Sequence, residues 1–179
     1  IYTRPIRVAG VQHWATPDNA SKYSRMKQDQ AYPEGTRHMA AMREKQMLRK
    51  PRTFIKGKDS KVKVKGGRRA LPQRVALLID GGCASSCEQF VLAARQSDKV
   101  TLIGQPTAGV LDYGNMHFAD FPCGRWQLGW ATSRSLRIGR GEGIDGKGIA
   151  PQLRPDPAER DWIDCARRYL EAAPAQSPR

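Results

Sequence analysis

The chain holds 179 residues, 39% apolar and 27% charged, enough for one soluble domain with a hydrophobic core. No apolar run approaches the roughly 18 residues of a membrane-spanning helix, and no charged, apolar, then small-residue leader opens the sequence, so neither a span nor a signal peptide is expected. Thirty-one Lys and Arg against 17 acids give +14, with +10 of it between Arg43 and Arg69, so charge characterises one segment and not a basic globule. The start at Ile1 is that expected of a fragment or a processed product.

No internal repeat is visible. Thr16-Pro17-Asp18-Asn19 supplies turn and cap chemistry ahead of a short helix over residues 20–30. Pro33-Glu34-Gly35 reads as a turn. Thr36 is positioned to cap a second helix reaching Leu48, with Met39, Met42 and Met47 partly on one side as packing residues. Residues 50–70 hold Lys, Arg and Gly with little apolar content, and Val62 and Val64 alternate with lysines, which permits at most a short exposed strand. This segment reads either as an arm for nucleic acid or an acidic surface, or as a flexible solvated connector. Only Phe54 offers a stacking platform there, which favours the connector over nucleic acid.

The character changes at Pro72, which divides an irregular and helical segment with a basic connector, 1–71, from an α/β segment, 72–179. The run Val75-Ala76-Leu77-Leu78-Ile79 reads as a buried strand of a parallel sheet. A helix follows, with Cys87, Phe90, Val91 and Ala94 on one face, and then a second buried strand, Val100-Thr101-Leu102-Ile103, which completes a βαβ unit. Residues 116–138 alternate more loosely and suggest antiparallel strands with Trp126, Leu128 and Trp130 on one side. The Gly-rich stretch 139–148 is a loop. A helix over 161–171 carries an apolar face of Trp162, Cys165, Ala166 and Tyr169.

The four cysteines lack zinc-ribbon spacing, so no metal site is expected. A disulfide such as Cys83 to Cys123 is compatible with the sequence, which assigns no connectivity. Gly141-x-Gly143-x-x-Gly146 matches a dinucleotide pattern literally, but Pro151 and Pro155 stand where the phosphate-binding helix should begin. Asp145 in that loop reads as a surface acid or as an acid that orients a catalytic base. None of His13, His38 and His117 sits in a base motif.

The sharpest feature is Asp80-Gly81-Gly82-Cys83-Ala84-Ser85-Ser86-Cys87-Glu88, between a strand and an amphipathic helix. Ser85 at the helix start faces free N–H groups and the positive end of the dipole. A nucleophile there has half an oxyanion hole in the Ser86 N–H. Ser85-x-x-Glu88 is also a capping box, and the local pattern alone favours a cap.

Four segments together resemble the C-terminal half of the S41 peptidase family. They are Val75–Asp80, Cys83–Glu88 with Phe90–Ala94, Ile103–Gly109 with Asp112–Asn115, and Ile144–Pro151, where this chain has Pro151-Gln152 for the family's usual Pro-Asp. The resemblance spans residues 72 to about 171. It implies an α/β spiral core shared with crotonases and ClpP, parallel strands with flanking helices, no cofactor, and hydrolysis of peptide bonds in a peptide or unfolded protein. A periplasmic or secreted location is likewise implied. Position by position it implies Ser85 as nucleophile, the Ser86 N–H as oxyanion donor, and Asp145 as the acid that orients a histidine. The lysine position of the processing-protease branch holds Val110. The histidine of the tricorn and chlamydial branch, and the Gly-rich strand that completes its oxyanion hole, have no recognisable counterpart in residues 1–71. The expectation is therefore a serine peptidase, as a fragment lacking the N-terminal half of its catalytic domain. The alternatives are a non-catalytic peptide-binding relative, a basic nucleic-acid-binding protein, and a crotonase-type CoA enzyme for which no CoA pattern is evident. Oligomeric state is beyond the sequence.

Overall fold

The computed structural model describes residues 1–63, 70–156, 158 and 161–172. In chain order the elements are β1 (Ile6–Val8), β2 (Val11–Trp14), α1 (Pro17–Gln28), α2 (Glu34–Arg49), β3 (Phe54–Lys56), β4 (Ser60–Val62), β5 (Val75–Ile79), α3 (Ser86–Ala94), β6 (Val100–Gly104), β7 (Tyr113–Asp120), β8 (Gln127–Ser135), a 3-10 turn at Ile138–Arg140 and α4 (Trp162–Ala172). Helices and strands mix as an α/β protein. No described helix is long and apolar enough to cross a membrane. The chain divides into two compact units. One comprises Ile1–Val8, Asp59–Asp112 and Glu142–Arg179, the other Ala9–Lys58 and Tyr113–Gly141.

The first unit is built on the βαβ pattern that the two apolar runs predict. β5 and β6 pair in parallel, Val75 opposite Val100 through Ile79 opposite Gly104, with α3 as the crossover. β6 is the better buried of the two, because the segment after Pro151 joins its other edge: Ile103 bridges Leu153, and the Gly104 N–H donates to the Leu153 carbonyl at 3.0 Å. Gln152, at the departure from Pro-Asp, gives its side-chain oxygen to the Leu102 N–H at 2.6 Å, so an amide oxygen fills an acceptor position. In β5 only Ile79 is buried, Val75, Ala76 and Leu77 are half buried and Leu78 is exposed, a milder burial than its continuous apolar run suggests.

Ile79, Val91, Leu92, Ala94, Val100, Leu102, Ile144 and Ile149 form the core of this unit with Cys83. Each large side chain removed from water there contributes roughly 1.5–3 kcal/mol. The buried face of α3 is rotated from the expected one. Val91 and Ala94 are buried, but Phe90 and Cys87 are exposed, and Leu92 and the carboxylate of Glu88 point inward instead. The hydrogen bonds made by Glu88, described below, fix that rotation. α4 follows the sequence reading closely, with Ala166 buried and Trp162, Cys165 and Tyr169 half buried. The Tyr169 hydroxyl lies 3.0 Å from Thr101 Oγ1, and the Arg74 guanidinium sits 4.2 Å over the Tyr169 ring. β4 pairs antiparallel with β1, and Arg7 bridges Asp59 at 2.7 Å.

The second unit is a four-stranded antiparallel sheet in the order β3-β2-β8-β7 with a helical hairpin, α1 and α2. α1 begins earlier than residue 20. Thr16 is its N-cap and accepts the Asn19 N–H at 3.1 Å, and Pro17 takes the first turn, where its missing N–H costs nothing. α2 begins at Glu34, with Pro33 and not Thr36 at the cap. The methionines separate: Met47 is buried with Ala15, Ala20, Tyr23 and Ala40, whereas Met39 and Met42 are exposed. β7 and β8 form the expected hairpin, but Trp126 and Leu128 lie exposed near its tip. Two short strands, β3 and β4, fall within the stretch 50–70 that composition marks as a connector. Val64, read with Val62 as strand-forming, lies outside the described residues.

Candidate active site

Ser85, Ser86 and Glu88 sit at the strand-to-helix turn of the first unit. Ser85 is the N-cap of α3 and adopts φ 54° and ψ −109°. Only glycine reaches that region without strain, and a serine held there costs on the order of 1–3 kcal/mol. Its side chain is exposed. Ser86 is the first helical residue, and no described residue accepts its N–H, which leaves a donor at the positive end of the α3 dipole.

The cysteines that flank the turn are bonded to each other. Cys83 and Cys87 form a disulfide with their Cα atoms 5.3 Å apart. That replaces the Cys83–Cys123 pairing entertained from sequence, because Cys123 lies exposed in the β7–β8 hairpin of the other unit as a free thiol. Cys83 is part of the core, Cys87 is exposed, and Ser85 lies midway in the covalent loop they close. Among the described residues no cluster of His, Cys, Asp or Glu is arranged to hold a metal ion.

Glu88 is the residue whose importance the capping-box reading understates. It is 0% exposed, and both carboxylate oxygens are spent. Oε1 accepts the Thr107 hydroxyl at 2.6 Å and the Gly109 N–H at 2.7 Å, while Oε2 accepts the Val110 N–H at 3.0 Å and the Ser85 N–H at 3.1 Å. Burial alone pushes its pKa up. The Thr107 hydroxyl and the N–H groups of Val110, Gly109 and Ser85 outweigh burial and hold the carboxyl below its ordinary value. The sequence signal for this hub was the acid at the third helical position, which a cap alone would also explain.

Asp145 stands on the closing segment. Its Oδ1 accepts the N–H groups of Leu111 at 2.7 Å and Asp112 at 2.6 Å. Asp112, itself buried, returns the arrangement: its Oδ2 accepts the N–H groups of Ile144 and Asp145. The two aspartates thus clasp residues 111–112 to 144–145. Thr107 joins the same closing segment, since its hydroxyl oxygen accepts the Ile149 N–H at 2.8 Å. The loop 107–112 is therefore shared: Glu88 holds it to the Ser85 turn, and Asp145 holds it to the closing segment. Gly109 and Gly148 make the approach feasible. Both have positive φ, and a Cβ at Gly148 would collide with the Thr107 carbonyl. Ser85 and Asp145 are thus brought into one hydrogen-bonded assembly, linked through that loop. The Val110 side chain is exposed.

No histidine belongs to this unit; His13, His38 and His117 all lie in the other. His13 is buried on β2, its Nδ1 3.1 Å from the Tyr23 hydroxyl. Burial, and then the charges of Arg43 and Lys22, lower its pKa to about 4. His117 stacks on Trp130 with ring centroids 4.7 Å apart and lies 3.4 Å from Arg25 Nη2. His38 is exposed on α2.

The model of Peptidase family S41 matches residues 12–154. It begins well ahead of residue 72, where the sequence motifs start, so β2 and the helical hairpin fall inside the match. Comparison with curated proteins found no match. Among solved structures, mature CPAF complexed with lactacystin superposes with a TM-score of 0.58 at 17% identity, over 96% of this chain and 38% of that one. A CPAF mutant gives 0.55 at 16% identity, over 96% and 37%. A Parabacteroides merdae protein gives 0.51 at 17% identity, over 93% and 42%. The chain thus spans about two fifths of the length of these structures, which share its fold. With the family model matched from β2 to the closing segment, the chain belongs to peptidase family S41.

Proposed function

We propose that this chain carries the nucleophile turn of a serine peptidase. Ser85 Oγ attacks the carbonyl carbon of a peptide bond, and its proton passes to a general base and then to the leaving amine. Water afterwards hydrolyses the acyl-serine to release the acid. The Ser86 N–H donates to the oxyanion at the helix start, and Asp145 is the acid that holds the base in its tautomer. The observation that carries this reading is the backbone of Ser85: an exposed serine held at φ 54° between a strand and a helix, beside an N–H that no described residue accepts. A serine that served only as a cap would not need that conformation, since N-caps ordinarily sit in the extended region.

We assign the base and the second oxyanion donor to parts of the natural protein outside residues 1–179, and so outside the Ser85 unit. That unit contains no histidine, and Val110 occupies the lysine position. We assign residues 72–179 to the C-terminal half of the peptidase core and its frame to the crotonase-like spiral, with an unfolded protein or peptide as substrate. On this reading the 179-residue segment alone is a poor catalyst, because one lost oxyanion donor costs about 100- to 1000-fold. The test compares this segment and the longer natural protein on an unfolded protein substrate. Turnover at least 100-fold higher in the longer protein is expected. Comparable turnover would place a complete site within residues 1–179.

One observation favours a second reading, a non-catalytic peptide-binding relative: Asp145 Oδ1 is already occupied by two backbone N–H groups. A fluorophosphonate probe separates the two, since only a working nucleophile is labelled.

A further inference from the structure

The Cys83–Cys87 disulfide closes a five-residue loop around Ser85, and the two sulfurs stand in opposite surroundings. Cys83 is packed in the core with Ile79, Val91 and Ile144. Cys87 is exposed in the first turn of α3. Between them Ser85 is kept at φ 54°, a conformation a serine leaves when nothing constrains it. Two other ties hold the turn in place without closing it. The Glu88 carboxylate accepts the Ser85 N–H, and the Cys83 carbonyl accepts the Ala108 N–H at 3.0 Å. The helix itself is anchored by the bonds of Glu88 to Thr107, Gly109 and Val110, while the covalent loop constrains the residues that carry the nucleophile and the oxyanion donor.

We propose that the Cys83–Cys87 disulfide is a thiol-exchange site whose reduction by a dithiol releases Ser85 from its reactive geometry. This rests on the nucleophile reading of Ser85. A thiolate of the dithiol attacks Cys87 Sγ, the exposed sulfur; the Cys83–Cys87 bond breaks, and Cys83 leaves as a thiolate that takes a proton from water. The second thiol of the reagent then attacks the mixed disulfide, forms the cyclic disulfide of the reagent and frees Cys87, also protonated. The reagent loses two electrons and the protein gains two electrons and two protons. Peptide 84–86 then relaxes toward negative φ at Ser85, and the Ser86 N–H turns away from the oxyanion position. The bonds of the Glu88 carboxylate to Thr107, Gly109 and Val110 keep α3 docked, so the protein stays folded with its nucleophile out of register.

The experiment uses the full-length protein with every cysteine other than Cys83 and Cys87 replaced by serine, Cys123 and Cys165 among them, so that only the Cys83–Cys87 pair responds, and dithiothreitol as the dithiol. Two readouts are taken on the oxidised and reduced forms. Fluorophosphonate labelling of Ser85 is expected to fall at least tenfold on reduction and to return on reoxidation. A Cys83→Ala/Cys87→Ser variant is expected to label at the reduced rate with or without dithiothreitol. Hydrogen exchange of a peptide covering 84–88 is expected to speed at least tenfold on reduction, while exchange of β6 is unchanged. Unchanged exchange over 84–88 overturns the proposal, whether or not the protein is labelled. Equal labelling of the two forms overturns it as well. Failure of the nucleophile reading shows separately, as labelling of Ser85→Ala at the rate of its parent.

Discussion

Glu88 Oε2 accepts the N–H of Ser85 at 3.1 Å from a position completely buried beneath the helix start. The same carboxylate holds Thr107, Gly109 and Val110, so the turn bearing the candidate nucleophile and the loop beside it share one anchor. Replacing Glu88 by Ala strips a hydroxyl and three N–H donors of their buried acceptor. A loss on the order of 3 kcal/mol is expected in urea unfolding, against a few tenths for an exposed acid.

The ionisation of Glu88 also sets an acid limit. Its pKa in the folded state lies below the ordinary 4.5, so the unfolded chain binds the proton more readily. The stabilisation is present above pH 4.5 and is lost as pH falls through the lower, folded value. Urea midpoints measured from pH 6 down to about 3 should decline in the parent. In Glu88→Gln the contribution of this group to the decline should be absent.

His13 gives the second unit an acid limit at higher pH. Its folded pKa of about 4 lies below the ordinary 6.5, so the neutral imidazole is the folded form and protonation favours unfolding. The contribution is complete above pH 6.5 and is lost as pH falls toward 4, by roughly 3 kcal/mol at most. Thermal unfolding followed at Trp14 and Trp130 should show this slope, and His13→Gln should flatten it between those two values.

Ser85 is strained where glycine would not be. Ser85→Gly should raise stability by about 1 kcal/mol relative to Ser85→Ala, because only glycine adopts φ 54° freely. Equal unfolding midpoints for the two variants would show that the turn carries no strain.

Asp145 distinguishes a clasp from a catalytic acid. Asparagine retains a carbonyl oxygen for the N–H groups of Leu111 and Asp112 but loses the charge. Asp145→Asn should therefore fold like its parent, and Asp145→Ala should lose about 1–3 kcal/mol through two unpaired N–H groups. If Asp145 orients the base, Asp145→Asn also loses at least 100-fold in turnover of the full-length protein. A rate within twofold of the parent assigns the residue to the clasp alone.

The parts of this fold that depend on local periodicity were legible in the sequence. The runs at Val75–Ile79 and Val100–Gly104 became a parallel pair, and the face of α4 lies where its spacing puts it. The face of α3 differs from the one its apolar spacing predicts, because Glu88 points inward. Four hydrogen bonds make the interior favourable for Glu88, and Phe90 turns to solvent. The helix at Pro17 started earlier than expected because Thr16 caps it and proline suits its first turn. The pairing of Asp112 with Asp145 was not legible, since it joins positions 33 residues apart through backbone N–H groups that carry no sequence mark. The disulfide was not legible because cysteine spacing leaves connectivity open.

The most direct measurement is fluorophosphonate labelling of the full-length protein, with the modified residue located by peptide mapping. A single adduct on Ser85 is expected, absent from a folded Ser85→Ala variant that has also lost peptide hydrolysis. Hydrolysis retained by folded Ser85→Ala, or an adduct on another serine with Ser85 unmodified, would contradict the nucleophile reading of Ser85.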